Sequence, residues 1–563
     1  MTFPSAASEG SAAASGRDNK RLLASCSAFA VALLLLAAML STLFEKNLVN
    51  TLSQQGWTRE LYAISAALTK VRFGIGGSAV DRRLFTTLVV AGIAQNPAPE
   101  LNVRFPDNLR DVKLLQSALQ RAQTIELPPP APVDVHGDYG DLMGFSGEDT
   151  GLGTYTYLAF LLFGVNIPAL TYLYFVIVSI SLVLYGIGHW RSVGALAAVV
   201  AVTLALYVVV SADIVNFAGS SELFSGAPGI DVKDPRFLGT IAAIPLLHVI
   251  VMWTRPPYRL GPIDYVVVAM QAAIFAFALQ IRSPVVWAVL ALSVFWLMIG
   301  ALALRRGRSL RSLCDWRQSR SASMPITVIA VLFSAQLLAA ATLHPLYRAQ
   351  GDVPRHMFWQ GLLSSLDVNP EWSVKYGPLA NNATGDMLPE EAARIAIMKL
   401  PAEEQPQYLG ANGWPRWNAL EKFSRIVFFE ILRSDPKFVA HTFFIDKRAQ
   451  AWRSERQFFG VLFSGLPAWN VLIPVAAVLF LAVLVAWNAD AQAMLLPTAG
   501  AISVFIVFSL LPNWLVALNP WVMIDNFVWI IVFLVLSVVI AAAFAIRYAG
   551  GAKRVSAMAA LGK

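Results

Sequence analysis

Apolar residues in this chain fall into long runs separated by polar stretches, and the run length is the first informative quantity. A helix rises 1.5 Å per residue, so about 20 apolar residues match a hydrocarbon core of roughly 30 Å. Runs of that size lie at residues 21–44, 167–187, 194–211, 237–254, 262–281, 284–304, 325–343, 468–487, 492–511 and 522–546. The pattern predicts an all-α polytopic membrane protein with about ten transmembrane helices and two large extracytoplasmic segments. The first run, Arg21 to Phe44, exceeds a signal-peptide core of about 7–15 residues and has no small-residue cleavage site after it. It reads as an uncleaved first transmembrane helix. Leu23-Ala24-Ser25-Cys26 looks like a lipoprotein box but precedes the apolar stretch instead of following it.

The polar stretches set the remaining organisation. Residues 1–20 are rich in Ser, Ala and Gly and read as a disordered cytoplasmic arm. Residues 45–166 form the first extracytoplasmic loop, residues 167–343 the transmembrane core of helices two to seven, and residues 344–466 a second extracytoplasmic helical segment. Helices eight to ten fill 467–547, and 548–563 is a cytoplasmic tail. Within the first loop, Leu84 to Ala94 is too short to span and reads as a surface-lying or packed helix. Pro128-Pro129-Pro130 with Pro132 forms a stiff extended strut. The second segment carries amphipathic helices at Pro389 to Leu400, Trp417 to Leu432 and Pro436 to Trp452. Asp435-Pro436 supplies a capping carboxylate followed by proline at the first helical position. No repeat of fixed period and no inverted repeat is visible.

Composition agrees with a bilayer as the main solvent, since 57% of residues are hydrophobic and only 14% charged. A net charge of +8 would suit nucleic acid, but its distribution points elsewhere. Arg17, Lys20 and Arg21, then Arg191, Arg255 and Arg259, the stretch Arg305 to Arg320, and Arg547, Lys553 and Arg554 all fall on one predicted side. That is the positive-inside distribution, which assigns both termini to the cytoplasm and implies no nucleic-acid partner. The two cysteines, Cys26 and Cys314, lie within the membrane or on its cytoplasmic side, so no disulfide framework is expected. Phosphate-cradling GxxxxGK[ST], HExxH and strand-borne GxSxG patterns are absent, which leaves ATP-driven transport and zinc peptidase chemistry without support.

Three constellations carry possible chemistry. Asp134, His136, Asp138, Asp141, Glu148 and Asp149 place six ionisable groups within sixteen positions, directly before an aromatic run from Thr154 to Gly164. Carboxylates there admit a divalent cation, Mg or Mn, or serve as general base on an acceptor hydroxyl. The plainer reading is a solvated acidic loop with Asp149 or Thr150 near a helix N-cap. Arg282 sits between two spans with almost no polar loop, on the side where arginine is disfavoured. It fits either a lipid phosphate held by the guanidinium fork or an arginine snorkelling to headgroups. Arg355 and His356, beside Phe358 and Trp359, suit phosphate and sugar at a membrane rim, or an interfacial helix with an aromatic anchor. His189 and His248 show no nearby partner and read as structural. Asp525 marks either the same cavity or the interface.

The order of these features resembles the GT-C glycosyltransferases: a first span, a long outer loop with carboxylates, a helical core, then an outer domain after the seventh span. Gly147-Glu148-Asp149-Thr150-Gly151 ahead of an aromatic, Leu-Phe-Gly-containing segment is the nearest local likeness, and the resemblance covers about residues 20–345. It implies a polyprenyl-phosphate-linked sugar donor, a glycan or lipid acceptor, and an acidic residue of the first outer loop acting as base or metal ligand. The positions so implied are Asp149, Glu148, Asp138 and Asp141, in that order; the residue patterns above add Arg282, Arg355, His356 and Trp359 toward the lipid phosphate and substrate. Two other readings stay open: an O-antigen polymerase or ligase, in which Arg355 and His356 matter more than Asp149, and a transporter or non-catalytic assembly factor for envelope polysaccharide.

Overall fold

A computed structural model of the chain describes residues 7–50, 57–76, 79–93, 112–130, 141–144, 151–211, 232–254, 261–282, 285–305, 320–342, 344, 358–385, 387–410, 413–464, 468–515 and 524–561. In chain order the principal helices are α1 (Ala7–Glu45), α2 (Trp57–Phe73), α3 (Arg82–Ile93), α4 (Val112–Thr124), α5 (Gly151–Phe163), α6 (Pro168–His189), α7 (Val193–Ser211), α8 (Pro235–Leu238), α9 (Ala243–Thr254), α10 (Pro262–Ile281), α11 (Val286–Arg305) and α12 (Arg320–Thr342). They continue as α13 (Phe358–Ser364), α14 (Trp372–Lys375), α15 (Met387–Met398), α16 (Trp417–Ser434), α17 (Pro436–His441), α18 (Lys447–Ser464), α19 (Ala468–Ala486), α20 (Ala489–Leu515) and α21 (Ile524–Leu561). Helical geometry in α1 begins at Ala7, inside the stretch assigned above to a disordered arm.

The protein is helical and of the membrane type. Among the described residues seven helices are long and apolar enough to cross a bilayer: Arg21–Glu45, Pro168–His189, Val193–Ser211, Arg236–Thr254, Pro262–Ile281, Ala489–Val507 and Asn526–Ala549. The other three expected spans fall on α11, α12 and α19, whose described apolar stretches, Val286–Leu302, Val328–Leu338 and Val471–Ala486, are shorter. At the centre stands α7, in which every residue is buried. A helix apolar all round can be buried on every side, and here it forms the axis on which its apolar neighbours pack. Helices α1, α6, α9, α19, α20 and α21 surround it.

Cross-links fix the relative direction of these helices. At one end Arg21 pairs with Asp490 at 2.6 Å, Ser192 Oγ meets Met494 Sδ at 3.1 Å, and Arg547 donates to the Ala486 carbonyl and to Gln492 Oε1, both at 2.6 Å. At the other end Lys46 Nζ donates to the Ser211 carbonyl at 3.2 Å. Helices α1, α7 and α20 therefore run parallel, with α19 and α21 antiparallel to them. The alternation expected from the apolar runs gives the same directions.

Two polar units flank the bundle. In the first, α2 packs on α3 and α5, and a short antiparallel ribbon pairs β1 (Ala79–Asp81) with β2 (Leu142–Gly144) within the otherwise helical fold. The fully buried Asp81 accepts from the Arg83 side chain (2.6 Å), the Arg83 amide (2.8 Å) and the Leu84 amide (3.4 Å), capping α3. Arg83 also donates to the Pro128 carbonyl at 3.0 Å, so the proline strut is tied to this clamp. The second unit is built on Leu363, Leu366, Trp372, Leu388, Phe428 and Ile431. Asp435 caps α17 as expected, accepting the Phe438 amide at 3.0 Å with Pro436 at the first position. A π-helical stretch, Thr442–Asp446, joins α17 to α18, and Trp514 Nε1 donates to the Phe443 carbonyl at 2.9 Å, tying this unit to α20.

Candidate functional site: the rim around Arg282

Arg282 follows the last turn of α10. Its backbone amide still donates to the Ala278 carbonyl at 2.9 Å, and its carbonyl accepts the Val285 amide at 3.1 Å, which turns the chain straight into α11. Only 5% of Arg282 is exposed. The side chain is thus withdrawn almost wholly from the surface at the turn between α10 and α11.

The neighbouring wall is the start of α5. A Cβ on Gly151 would lie 2.5 Å from the Gln280 carbonyl oxygen, so only glycine lets the two backbones approach this closely. Tyr155, one turn on, donates to the Leu170 carbonyl at 2.5 Å and locks α5 to α6, while the Tyr157 ring carries Lys70 Nζ at 4.0 Å. In sequence, Asp149, the last residue of the expected acidic patch, stands two positions before a glycine packed against Gln280, itself two residues before Arg282.

The same end of the bundle holds further buried charge. Lys233 is 1% exposed and donates to the Leu48 carbonyl; Asp234 is fully buried and caps α8, accepting the Arg236 amide at 2.8 Å. The turn Gly239–Ala242 that follows packs on α10. Lys233 was not singled out from the sequence. Lys233-Asp234-Pro235, an acidic cap followed by proline ahead of an apolar block, is the local signal that marks the helix entry.

The other expected site residues are distributed as follows. Asp141 is held in a structural clamp: its carboxylate pairs with Arg83 at 3.2 Å and its carbonyl accepts the Arg82 amide at 2.8 Å. The Asp81 carboxylate, helped by Asp141, holds the Arg83 guanidinium above its ordinary value. A carboxylate committed to a guanidinium in this way is a poor general base or metal ligand. Trp359 packs in the second unit, its ring 5.2 Å from Phe429 and 6.1 Å from Phe428. Asp134, His136, Asp138, Glu148, Asp149, Arg355 and His356 lie outside the described residues, as does the Asp525 side chain. Among the described residues no three His, Cys, Asp or Glu side chains group to hold a metal ion.

His189 and His248, read above as lacking partners, are each other's partner: Nε2 of His189 lies 3.1 Å from Nδ1 of His248, both rings buried beside Tyr185. At the start of the second segment, burial pushes the His344 imidazole below its ordinary value. No family model, no characterised protein and no solved structure matches this chain.

Proposed function

We propose that the protein is a membrane glycosyltransferase that uses a polyprenyl-phosphate-linked sugar donor at the extracytoplasmic face of a bacterial plasma membrane, in cell-envelope glycan synthesis or modification. In this reading the ten apolar helices all span, both termini are cytoplasmic, and the Arg282 end faces outward with the two polar units. The observation that carries it is the backbone approach of Gly151 to Gln280, because it joins the segment following Glu148 and Asp149 to the buried guanidinium of Arg282.

The chemistry follows from those two groups. Asp149 takes the proton from the acceptor hydroxyl as its oxygen attacks the anomeric carbon of the donor sugar. The bond between that carbon and the phosphate oxygen breaks, and its electron pair leaves with the polyprenyl phosphate. Arg282 balances the charge that develops on the leaving phosphate, an interaction strengthened where water is excluded. A divalent cation, Mg or Mn, would do the same work if acidic side chains of the first loop hold it.

Transfer of a radiolabelled sugar from polyprenyl phosphate by membranes carrying the protein tests this. Asp149→Asn is expected to lower transfer by about 10²–10⁴-fold, the usual loss with a general base. Arg282→Gln is expected to lower it about 10²-fold, with Arg282→Lys retaining part of it. Full activity of Asp149→Asn would remove that residue from the mechanism, and full activity of Arg282→Gln would remove the phosphate role.

A further inference from the structure

The bundle end opposite Arg282 carries a groove of about 700 Å³ between α1, α6 and α10. Protein interiors are close-packed, so a space of this size stands out. Two glycines on its wall mark where the helices pack too closely for a side chain. A Cβ on Gly186 would fall 2.8 Å from the Phe29 ring, and one on Gly188 would fall 3.0 Å from the His248 ring. The walls are apolar, and Ile187 and Ile263 on them are 50% and 67% exposed, which in a membrane-type protein means exposure toward lipid. The volume lies in the range of sites that hold one small amphiphile.

The mouth of the groove is polar and its charges are unequal. Asp264 is engaged, its carboxylate accepting the Gly261 amide at 2.7 Å in the first turn of α10. Arg191 is exposed, lies 4.5 Å over the Trp190 ring, and makes no ion pair with a carboxylate among the described residues. A guanidinium beside a tryptophan, at the edge of an apolar groove, matches an anionic headgroup above a hydrocarbon chain.

We infer that this groove is a binding site for one anionic membrane phospholipid, an acyl chain lying between α1, α6 and α10 and its phosphate on Arg191. The site is at the far end of the bundle from Arg282 and is independent of the transferase reading. A soluble anion would leave the apolar walls wet, and a zwitterionic lipid would set its own cation beside Arg191, offsetting the pull of its phosphate.

Native mass spectrometry of the full chain purified in detergent tests the assignment, with phosphatidylglycerol and phosphatidylcholine added separately. Phosphatidylglycerol is expected to be retained about fivefold more strongly, the size of one partly exposed ion pair. Arg191→Gln is expected to reduce it to the phosphatidylcholine level, and Ile263→Trp, which fills the groove, to weaken both lipids. Cys26 lines the same groove and is exposed, so it reports on the unsubstituted site. In a Cys314→Ser background, phosphatidylglycerol is expected to slow its alkylation by about threefold or more. Equal retention of the two lipids, phosphatidylglycerol binding unchanged by Arg191→Gln or Ile263→Trp, or an unchanged Cys26 rate would each overturn the assignment.

Discussion

Glu421 offers a test of how the second polar unit is held together. Helix α13 begins with backbone donors that have no intrahelical partner. Glu421, reaching from α16, answers three of them: Oε1 accepts the Phe358 and Trp359 amides, both at 2.9 Å, and Oε2 accepts the Trp359 and Gln360 amides at 3.1 Å. A hydrogen bond to a charged group contributes about 1.5–3 kcal/mol, and a carboxylate at a helix N-terminus gains about 0.3–1 kcal/mol more. These donors are only partly buried, so water replaces some of the loss in a truncated variant. Glu421→Ala is therefore expected to cost about 2–4 kcal/mol locally, and Glu421→Gln, which keeps one acceptor oxygen, about half of that. Hydrogen–deuterium exchange of the peptide covering residues 358–364 reads this directly. At 1.4 kcal/mol per decade, exchange in Glu421→Ala is expected to accelerate by about 30- to 700-fold. Exchange within about threefold of the parent protein would refute the argument that this carboxylate stabilises α13.

Two further outcomes follow from buried groups. Burial pushes Lys447 from its ordinary 10.5 down to about 8, against an opposing pull from Asp367. The unfolded chain then binds this proton more tightly, so the penalty is full below pH 8 and is relieved as pH rises toward 10.5, about 3 kcal/mol in all. Thermal melts should show that gain across the window in the parent protein but not in Lys447→Met, which should also be more stable at pH 7.5; an equal pH slope in both would contradict it. Gly151→Ala should cost about 1–3 kcal/mol by forcing α5 away from Gln280, whereas Gly460→Ala on α18, where a Cβ meets nothing within 4 Å, should be neutral or slightly stabilising. Equal melting temperatures for the two variants would remove the close approach from the account.

The apolar blocks could be read from the chain because the bilayer sets length and composition whatever the neighbours are. The Asp435-Pro436 cap was legible for a similar reason, since its partner is three residues away. Contacts between distant positions were not. His189 and His248 are 59 positions apart, and nothing local distinguishes a paired histidine from an isolated one. Pro436 to Trp452 read as one amphipathic helix, yet the π-helical stretch Thr442–Asp446 shifts the register, and Lys447, which follows it, is fully buried. At the candidate site, Arg282 stood out because arginine is disfavoured at an outer rim. The buried Lys233 and the approach of Gly151 to Gln280 depend on packing that no local pattern encodes. Asp141 belonged by position to an acidic patch, but Arg83, far back in the chain, claims it for the clamp.

The account depends most on the two bundle ends facing opposite compartments, the Arg282 end outside and the Arg191 end inside. Single cysteines replacing Gly147 and Gly307, in a background with Cys26 and Cys314 removed, can be labelled with a membrane-impermeant maleimide in intact cells. Labelling at position 147 and protection at 307 until the cells are opened is the predicted result. Equal labelling of both positions in intact cells would contradict it.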